Sequence, residues 1–352
     1  MKNRRQNLIN HALAIGCDTL VAFSPENIFY MTGFWGECIA ILKNTLDTVI
    51  ITSELEEYRA RTESIDCTII KSTRNDLIRS LLSTTKNCKI CTDCDDYEVL
   101  KNLNLKSDIV RSTDPFFNSR LIKDTKEINI LQKAAAIIDN LFDICANKIQ
   151  IGQTENELQT FLMSKAMEYE MFDTGYKFTI NPLIIAGGPN AALPHAQVTH
   201  RKFNSGDLVV VDLTLRYKGY VSDATRTFGL GAVSETAKQI YDIVKTSQSY
   251  GVDNVRNGVI CSYIDKTCRD YISSHKYGEY FIHSTGHGIG IDVHESPIIS
   301  STNQTKLNRN MVITIEPGIY IPHKLGVRIE DSLIVTDKYV LLHKFTKDLL
   351  IL

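Results

Sequence analysis

Two aspartates flank a predicted β-hairpin in a way that could bind cations. Residues 208–211 are apolar and β-branched, and β-rich composition resumes over residues 220–228 after a turn signal. With the turn at residues 217–218, Asp212 and Asp223 lie opposite each other on one face, with Cβ atoms roughly 4.5–5.5 Å apart. Ionised carboxylates this close repel, and a raised pKa or a bound cation would relieve the repulsion. The alternative is one exposed acid on each strand. A turn shifted by one residue would need a bulge at Gly219.

Three histidines, His283, His287 and His294, lie within twelve residues further along the chain. Glycines at positions 286, 288 and 290 surround His287 and allow the backbone to approach a bound group closely. One histidine alone is more often a satisfied structural residue, whereas three among glycines favour a ligand or substrate site. We therefore predict that this segment completes the site that the hairpin begins.

Two glutamates, Glu316 and Glu330, each adjoin a strongly apolar β segment, where an unpaired carboxylate would be costly. A short loop separates the two segments, so they can pair and bring both acids into one neighbourhood. Two aspartates, two glutamates and one histidine carry four negative charges, which match two divalent cations. Mostly oxygen ligands with one imidazole favour Mn²⁺, Co²⁺, Fe²⁺ or Zn²⁺ over Ca²⁺, and the choice among these four stays open.

The elements that position these residues belong to a chain of 352 residues, enough for two domains. Its 39 basic and 41 acidic residues give a net charge of −2, which argues against nucleic acid or a membrane and favours a small molecule or peptide as partner. The N-terminal apolar run is too short and too polar for a signal peptide or a membrane span. Nine scattered cysteines suit free thiols in a reducing compartment, so we expect a cytoplasmic location.

A domain boundary is predicted after residue 121. Residues 1–121 alternate helix-like and strand-like stretches, which indicates a small α/β layer. Within it, residues 25–36 are predicted to form a loop with the aromatic residues Phe34 and Trp35 at its tip. That loop is either a lid or subunit contact, or a site of local packing.

Residues 122–352 have an α+β pattern. Asp124 with Glu127, and Thr154 with Glu157, form capping boxes that open two amphipathic helices. Residues 178–186 are strand-like, residues 234–247 and 262–274 are predicted to be helical, and β character returns from residue 311.

The order and context of the candidate ligands resemble those of a known family. Asp212, Asp223, His287, Glu316 and Glu330 lie in the segments VDLT, SDATR, GHGIG, IEPG and RIED. These resemble the pita-bread (M24-type) metallopeptidases, in particular the Xaa-Pro dipeptidase (prolidase) and aminopeptidase P branch. The segment SPENIFYMTGF looks like the creatinase-type N-terminal domain of that branch, so the resemblance covers nearly the whole chain. It implies an α/β creatinase-like domain over residues 1–121 and an α+β pita-bread catalytic domain over residues 122–352.

The resemblance implies that these five residues hold two divalent metal ions. Asp223 and His287 would serve one ion chiefly with Glu316. Asp212 would serve the other ion in bidentate fashion, and Glu330 would bridge the two.

Roles for residues around the metals follow from the same resemblance. His195 matches a histidine on the leaving-group side, and His294 matches one that stabilises the tetrahedral intermediate. His283 matches a substrate-contact position, and Arg328 and Thr225 match partners of the carboxylates. One departure is position 214, a threonine where many relatives have glycine, which puts only local strand geometry in doubt.

The expected function is a dinuclear-metal exopeptidase that hydrolyses the bond before proline in Xaa-Pro dipeptides or short peptides through a metal-bridging hydroxide. Glu316 would take the proton of that water and pass it to the leaving nitrogen. Three alternatives stay open: an aminopeptidase P acting on longer Xaa-Pro-Xaa peptides, a non-catalytic pita-bread peptide-binding protein, and creatine-type amidinohydrolase chemistry. The resemblance also implies a homodimer in which the Phe34–Trp35 loop approaches the partner's cleft.

Overall fold

The computed structural model describes residues 1–105, 107–177 and 179–352. The chain divides into two compact units, Met1–Arg120 and Leu121–Leu352. Within the ranges that the structure describes, no helix is both long enough and apolar enough to cross a membrane.

The first unit alternates helices and strands along the chain. Its helices are α1 (Lys2–Ala14), α2 (Pro25–Thr32), α3 (Glu57–Glu63), α4 (Leu77–Thr84), α5 (Tyr97–Asn104) and α6 (Asp114–Leu121), with a 3₁₀ turn at Arg74–Asp76. Its strands are β1 (Thr19–Ala22), β2 (Cys38–Lys43), β3 (Thr48–Ser53), β4 (Thr68–Ser72), β5 (Lys89–Thr92) and β6 (Asp108–Arg111).

These strands form one mixed sheet in the order β4-β3-β2-β1-β5-β6. The pairs β1–β2 and β2–β3 are antiparallel, and the pairs β3–β4, β1–β5 and β5–β6 are parallel. Parallel neighbours require a crossover, which the intervening helices supply. Apolar strand residues such as Val21, Ile41, Ile51 and Ile90 are buried in the core. The predicted α/β layer is confirmed.

The predicted loop over residues 25–36 is wrong, because most of it is helix α2. Proline in the first turn suits a helix start, and the Asp93 carboxylate accepts two backbone N–H groups just before the helix, at 2.7 and 3.1 Å. Gly33 ends the helix in the left-handed conformation, with φ of 79°. Phe34 is fully buried, so it is not at an exposed tip, and Trp35 is half-buried with its ring 5.4 Å from that of Phe29.

The second unit combines α-helices with many short strands. Its helices are α7 (Thr125–Ala146), α8 (Glu155–Glu168), α9 (Glu235–Asp253) and α10 (Cys261–Ser274), with 3₁₀ turns at Gly188–Ala192 and Gly278–Tyr280. Its first strands are β7 (Met171–Phe172), β8 (Ile184–Gly187), β9 (Leu208–Asp212), β10 (Leu215–Tyr217), β11 (Tyr220–Ser222) and β12 (Thr225–Gly229). The later strands are β13 (Gly286–Gly288), β14 (Glu295–Ile299), β15 (Val312–Ile315), β16 (Gly318–Ile321), β17 (Leu325–Arg328), β18 (Asp331–Val335) and β19 (Tyr339–Leu341).

The strands of the second unit form small sheets covered by helices. Their orders are β11-β10-β7, β12-β9-β8, β14-β13-β15-β18-β19 and β16-β17. Leu141 of α7 and Leu162 of α8 share a core with Val209 of β9. Ile240 of α9 and Ile264 of α10 share another core with residues of β15 and β18. Helices therefore pack against the strands on which, or next to which, the candidate ligands lie.

Both predicted capping boxes are present. The Asp124 carboxylate accepts the N–H of Glu127 at 2.9 Å, and Glu127 accepts the N–H of Asp124 at 2.8 Å. The same reciprocal pair opens α8 at Thr154 and Glu157. The strand expected over residues 178–186 is limited to β8, and Phe178 lies outside the described residues.

Candidate metal centre and active site

Asp212 and Asp223 share one face of the sheet, but they are not opposite each other as predicted. Asp212 pairs with Thr225 in the β9–β12 ladder. The turn lies at residues Lys218 and Gly219, with φ of 48° and 86°, one residue later than predicted, and the β10–β11 register is regular without the suggested bulge. Moving a hairpin turn by one residue shifts each partner by two positions, so both aspartates keep their face.

Thr214 contacts both aspartates directly. Its Oγ1 lies 3.1 Å from Asp212 Oδ1 and 2.8 Å from Asp223 Oδ1. A hydroxyl has one proton, so it donates to one of these carboxylates at a time. The expectation that this position affects only local strand geometry is wrong, because its side chain is a partner of the acids.

Glu316 and Glu330 face each other in a second antiparallel hairpin. Strand β15 pairs with β18, and β16 pairs with β17, in one continuous register. Continuing that register through the interruption between the two ladders places Glu316 opposite Glu330. The predicted pairing of these two segments is confirmed.

His287 lies on β13 with its Nε2 directed at the acids. Its Nδ1 is 2.9 Å from the Gly288 carbonyl, which can only accept, so Nδ1 carries the proton and Nε2 presents a lone pair. This Nε2 lies 3.5 Å from Glu316 Oε1 and 3.8 Å from Asp223 Oδ2. Burial, and then the nearby His294, lower the pKa of His287 to about 3, so the ring is neutral. A neutral imidazole with this tautomer is the form that binds a metal.

Three of the predicted ligands form a compact cluster. Asp223, His287 and Glu330 each offer a ligand atom, and these atoms lie within 4.8 Å of one another. The three residues are only 5%, 4% and 1% exposed. Glu330 Oε1 is buried with no hydrogen-bond partner in the part of the chain that the structure describes. A buried, unpaired carboxylate oxygen among other ligand atoms fits a bound cation.

The charges of the site also fit a cation. Burial, and then the carboxylates of Asp212 and Glu316, raise the pKa of Asp223 well above its usual value. Burial, and then Asp223, have the same effect on the pKa of Glu330, and burial raises the pKa of Glu316 to about 8. The guanidinium of Arg328 supplies one compensating positive charge, and its Nη2 lies 2.6 Å from Asp212 Oδ2. A divalent ion would therefore allow the four acids to be ionised together.

Arg328 and Thr225 hold the carboxylates from behind. Arg328 Nη2 donates to Asp212 Oδ2 at 2.6 Å, and its Nε donates to Thr225 Oγ1 at 3.1 Å. Thr225 Oγ1 in turn donates to Glu330 Oε2 at 2.8 Å. One aspartate and one glutamate are thus oriented by the same buried guanidinium.

Tyr320 connects this guanidinium to His283. Arg328 Nη1 donates to the Tyr320 hydroxyl at 2.8 Å. That hydroxyl lies 2.9 Å from His283 Nε2, and His283 Nδ1 lies 2.7 Å from the Ser284 carbonyl. Burial, and then Arg328, lower the pKa of His283 to about 4, so Tyr320 donates to a neutral ring. Sequence reasoning missed Tyr320, whose hydroxyl is the only polar side-chain group in β16.

The two other predicted site histidines line the same cavity. His195 and His294 are both exposed and share the lining with the five candidate ligands, His283 and Arg328. The His294 ring lies 4.4 Å from the His287 ring and 5.1 Å from the Tyr176 ring, centroid to centroid. Partial desolvation by the cavity walls, and then His195, lower the pKa of His294. Every predicted site residue lines the cavity except Thr225, which lies behind it.

Glu155 is a second residue that sequence reasoning missed. Its buried carboxylate accepts the N–H of Gly187 at 2.9 Å, the side-chain amide of Asn190 at 2.9 Å, and the N–H and hydroxyl of Thr199 at 2.9 and 2.7 Å. These bonds hold the segment that carries His195. The available signal was an acid in the first turn of α8 that the Thr154–Glu157 capping box does not use.

The chain matches known families over both units. Residues 129–337 match metallopeptidase family M24, and residues 4–122 match the creatinase/prolidase N-terminal domain. The chain belongs to metallopeptidase family M24. The predicted fold class, a creatinase-like N-terminal domain followed by a pita-bread catalytic domain, is thereby confirmed, and so is the prediction of a metallopeptidase. The family implies divalent metal ions as cofactor.

Relatives of this M24 metallopeptidase match it over nearly its full length. It is 34% identical to the Xaa-Pro dipeptidase of Pyrococcus furiosus over 343 residues, 96% of each chain. The structure of an Xaa-Pro dipeptidase from Bacillus anthracis matches with a TM-score of 0.91 at 30% identity, covering 100% of this chain and 99% of that one. The X-Pro aminopeptidase from Thermotoga maritima matches with a TM-score of 0.88 at 26% identity, covering 99% of each chain.

Proposed function

We propose that this M24 metallopeptidase is a metal-dependent Xaa-Pro dipeptidase. The observation that carries the proposal is the convergence of two aspartates, two glutamates and one histidine on one cavity, with His287 Nε2 directed into the cluster. The likeness to the Xaa-Pro dipeptidase of Pyrococcus furiosus over 96% of both chains supports the substrate class.

Two divalent ions are the proposed cofactor, held by Asp212, Asp223, His287, Glu316 and Glu330. By the family resemblance, Asp223 and His287 would hold one ion chiefly with Glu316, Asp212 would hold the other, and Glu330 would contribute to both. Four buried or half-buried carboxylates beside the single guanidinium of Arg328 support more than one cation. When bound, such ions lower the pKa of a water molecule and polarise the scissile carbonyl. Mn²⁺, Co²⁺, Zn²⁺ and Fe²⁺ are the candidate ions.

Glu316 and His294 move or supply protons at the scissile bond. Glu316 is half-buried and lines the cavity, so its carboxylate can accept the proton of the attacking water and pass it to the leaving nitrogen. His294 is exposed to the same cavity, where a ring N–H can donate to the oxyanion that develops on the carbonyl. Both side chains can act without leaving the cavity wall.

His195 and His283 contact the substrate in this proposal. His195 lies beside Pro194 in the cavity lining and faces the proline ring of the leaving group. His283 has ring nitrogens 2.7 and 2.9 Å from Ser284 and Tyr320, so its contribution is the ring surface and not a further hydrogen bond. Proline as leaving group has no N–H in the substrate, which fits a wall that offers rings and apolar carbon there.

We further propose a cytoplasmic homodimer whose functional domains are residues 1–121 and 122–352. The nine cysteines are free thiols, which suits a reducing compartment. The family resemblance supports the dimer. Because Phe34 is buried, Trp35 is the aromatic residue left to make a subunit contact. A Trp35→Ala variant that assembles normally and keeps its KM would count against that contact.

The test measures metal content and then product. Purified protein, stripped with chelator and reloaded with Mn²⁺, Co²⁺ or Zn²⁺, is incubated with Xaa-Pro dipeptides and with Xaa-Pro-Xaa tripeptides. Release of free proline from dipeptides supports the proposal. Cleavage of tripeptides alone would assign the protein to the aminopeptidase class, and absence of both metal binding and turnover would refute both assignments.

A further inference from the structure

A buried ion pair lies directly behind the loop that carries His294. Lys123 Nζ is 2.9 Å from Glu295 Oε2, and the two side chains are only 1% and 5% exposed. The backbone N–H of Lys123 donates to the Asn310 carbonyl at 2.9 Å, which holds the lysine next to the start of β15. Two charges removed from water in this way are costly unless each has a close partner.

Glu295 uses its second carboxylate oxygen to close the loop that precedes it. Oε1 accepts the backbone N–H groups of Ile291 and Asp292 at 3.0 and 3.2 Å. A Cβ on Gly290 would lie 2.6 Å from Glu295 Oε2, so only glycine leaves room for the carboxylate there. The side chain therefore fills the inside of the turn between His287 and β14.

Other parts of the catalytic unit hold the same loop from outside. The Gly290 carbonyl accepts the N–H of Val221 at 2.7 Å, and the Ile291 carbonyl accepts Arg216 Nη1 at 2.6 Å. Glu295 itself pairs with Gly288 in the β13–β14 ladder, next to His287. The loop is thus fixed at both ends and along its length, and His294 is its last residue before Glu295.

We propose that Lys123 and Glu295 are positioning residues that hold His294 over the reacting carbonyl. Glu295 fixes the loop through the two N–H groups, and Lys123 fixes the Glu295 carboxylate. Neither side chain lines the cavity, so both act through His294. The inference rests on the proposed role of His294 in Xaa-Pro hydrolysis.

The test is a set of variants built on Lys123→Met, a substitution that keeps the approximate length of the side chain and removes its charge. Lys123→Met should lower kcat by about 10- to 100-fold, because small displacements of a catalytic group have effects of this size. KM should change by less than about three-fold, because substrate binding does not use the pair. Glu295→Gln should behave similarly. The double variant should unfold at a higher temperature than either single variant, because it leaves no unpaired buried charge.

Making the Lys123→Met substitution in a protein that already lacks the His294 side chain distinguishes a loss of positioning from general damage to the fold. In a His294→Ala protein, Lys123→Met should lower kcat by less than about two-fold further, because the group that it positions is already gone. Ile272→Ala serves as a matched control, since Ile272 is fully buried in the same unit and does not line the cavity. It should lower the unfolding temperature while leaving kcat within about two-fold of wild type.

NMR of ring-labelled histidines tests the inference even if the substrate assignment is wrong. The His294 ring signal should broaden or split in Lys123→Met and stay sharp in Ile272→Ala. An unchanged His294 signal, or an equal loss of kcat in the wild-type and His294→Ala backgrounds, would overturn the inference. Failure of the wild-type protein to release proline would instead overturn the proposed function.

Discussion

Replacing Asp223 by asparagine should have opposite effects on stability with and without metal. Asp223 is 5% exposed, accepts from Thr214 Oγ1 at 2.8 Å, and belongs to the ligand cluster with His287 and Glu330. Asparagine keeps the shape and a carbonyl oxygen for Thr214 but removes the charge. The metal-free variant therefore loses an electrostatic repulsion, and the metal-loaded variant loses a ligand.

The expected changes in the free energy of unfolding follow from its linkage to proton and metal binding. A carboxyl whose pKa is higher in the folded than in the unfolded chain destabilises the metal-free native state. The cost is about 1.4 kcal/mol for each pH unit by which the folded pKa, or the working pH where that is lower, exceeds the unfolded pKa. Relief of that cost, partly offset by weaker hydrogen bonding, should stabilise metal-free Asp223→Asn by about 2 kcal/mol at pH 7. With metal at a hundred times its Kd, the wild-type protein gains about 2.7 kcal/mol that the variant lacks.

Calorimetry on the wild type and on Asp223→Asn, each with and without metal, tests this reversal in the order of stability. The midpoint of the metal-free variant should exceed that of the metal-free wild type by roughly 4–8 °C, and Mn²⁺ should reverse the order. Elemental analysis should find the variant depleted of metal and assays should find it inactive. Asp265→Asn is the matched control, because Asp265 is a fully buried aspartate that is paired with Arg269 and is not one of the candidate ligands, and its loss should destabilise both forms. A metal-free Asp223→Asn protein less stable than wild type, or one stabilised by Mn²⁺ as much as wild type, would refute the reasoning.

Three further outcomes are expected. Thr214→Val removes the hydroxyl beside both aspartates and should weaken metal binding by about 10-fold or more in titration calorimetry. The unfolding temperature of the metal-free protein should change little. Equal metal affinity would show that the hydroxyl is not a partner of the ligands. Stability of the metal-free protein should fall as pH rises from about 6.5 to about 8, because the folded chain keeps a proton on Glu316 that the unfolded chain has lost, while the site histidines are neutral in the folded chain and lose their last protons from the unfolded chain near the start of that range; stability that rises with pH from about 6.5 to about 8 in chelated samples would contradict this. Glu155→Gln should lower kcat by about 10-fold with unchanged metal content, because a side-chain amide cannot accept all the hydrogen bonds that the carboxylate accepts from the segment carrying His195. An unchanged kcat would show that other contacts hold this segment.

Features that depend on neighbouring residues were predictable from sequence. The capping boxes at Asp124 and Thr154 place helix starts correctly, because each involves atoms only three residues apart. The pairing of the segments that carry Glu316 and Glu330 follows from two apolar runs joined by a short loop. The exception is α2, where aromatic and turn-like residues suggested a loop. Pro25 and Gly33 are local signals for the two ends of that helix, and Asp93, distant in sequence, adds contacts just before its first turn that the local pattern does not specify.

By itself the sequence determined which residues could bind metal and which side of the sheet they occupy. Side chains alternate along strands, so Asp212 and Asp223 share a face whichever of the two turns forms. Tertiary structure decided the rest: the register that puts Thr214 between the aspartates, the carbonyl that fixes the His287 tautomer, and the pairing of Lys123 with Glu295. These are contacts between side chains or backbone groups whose partners are chosen by packing. The spacing of residues along the chain does not specify them.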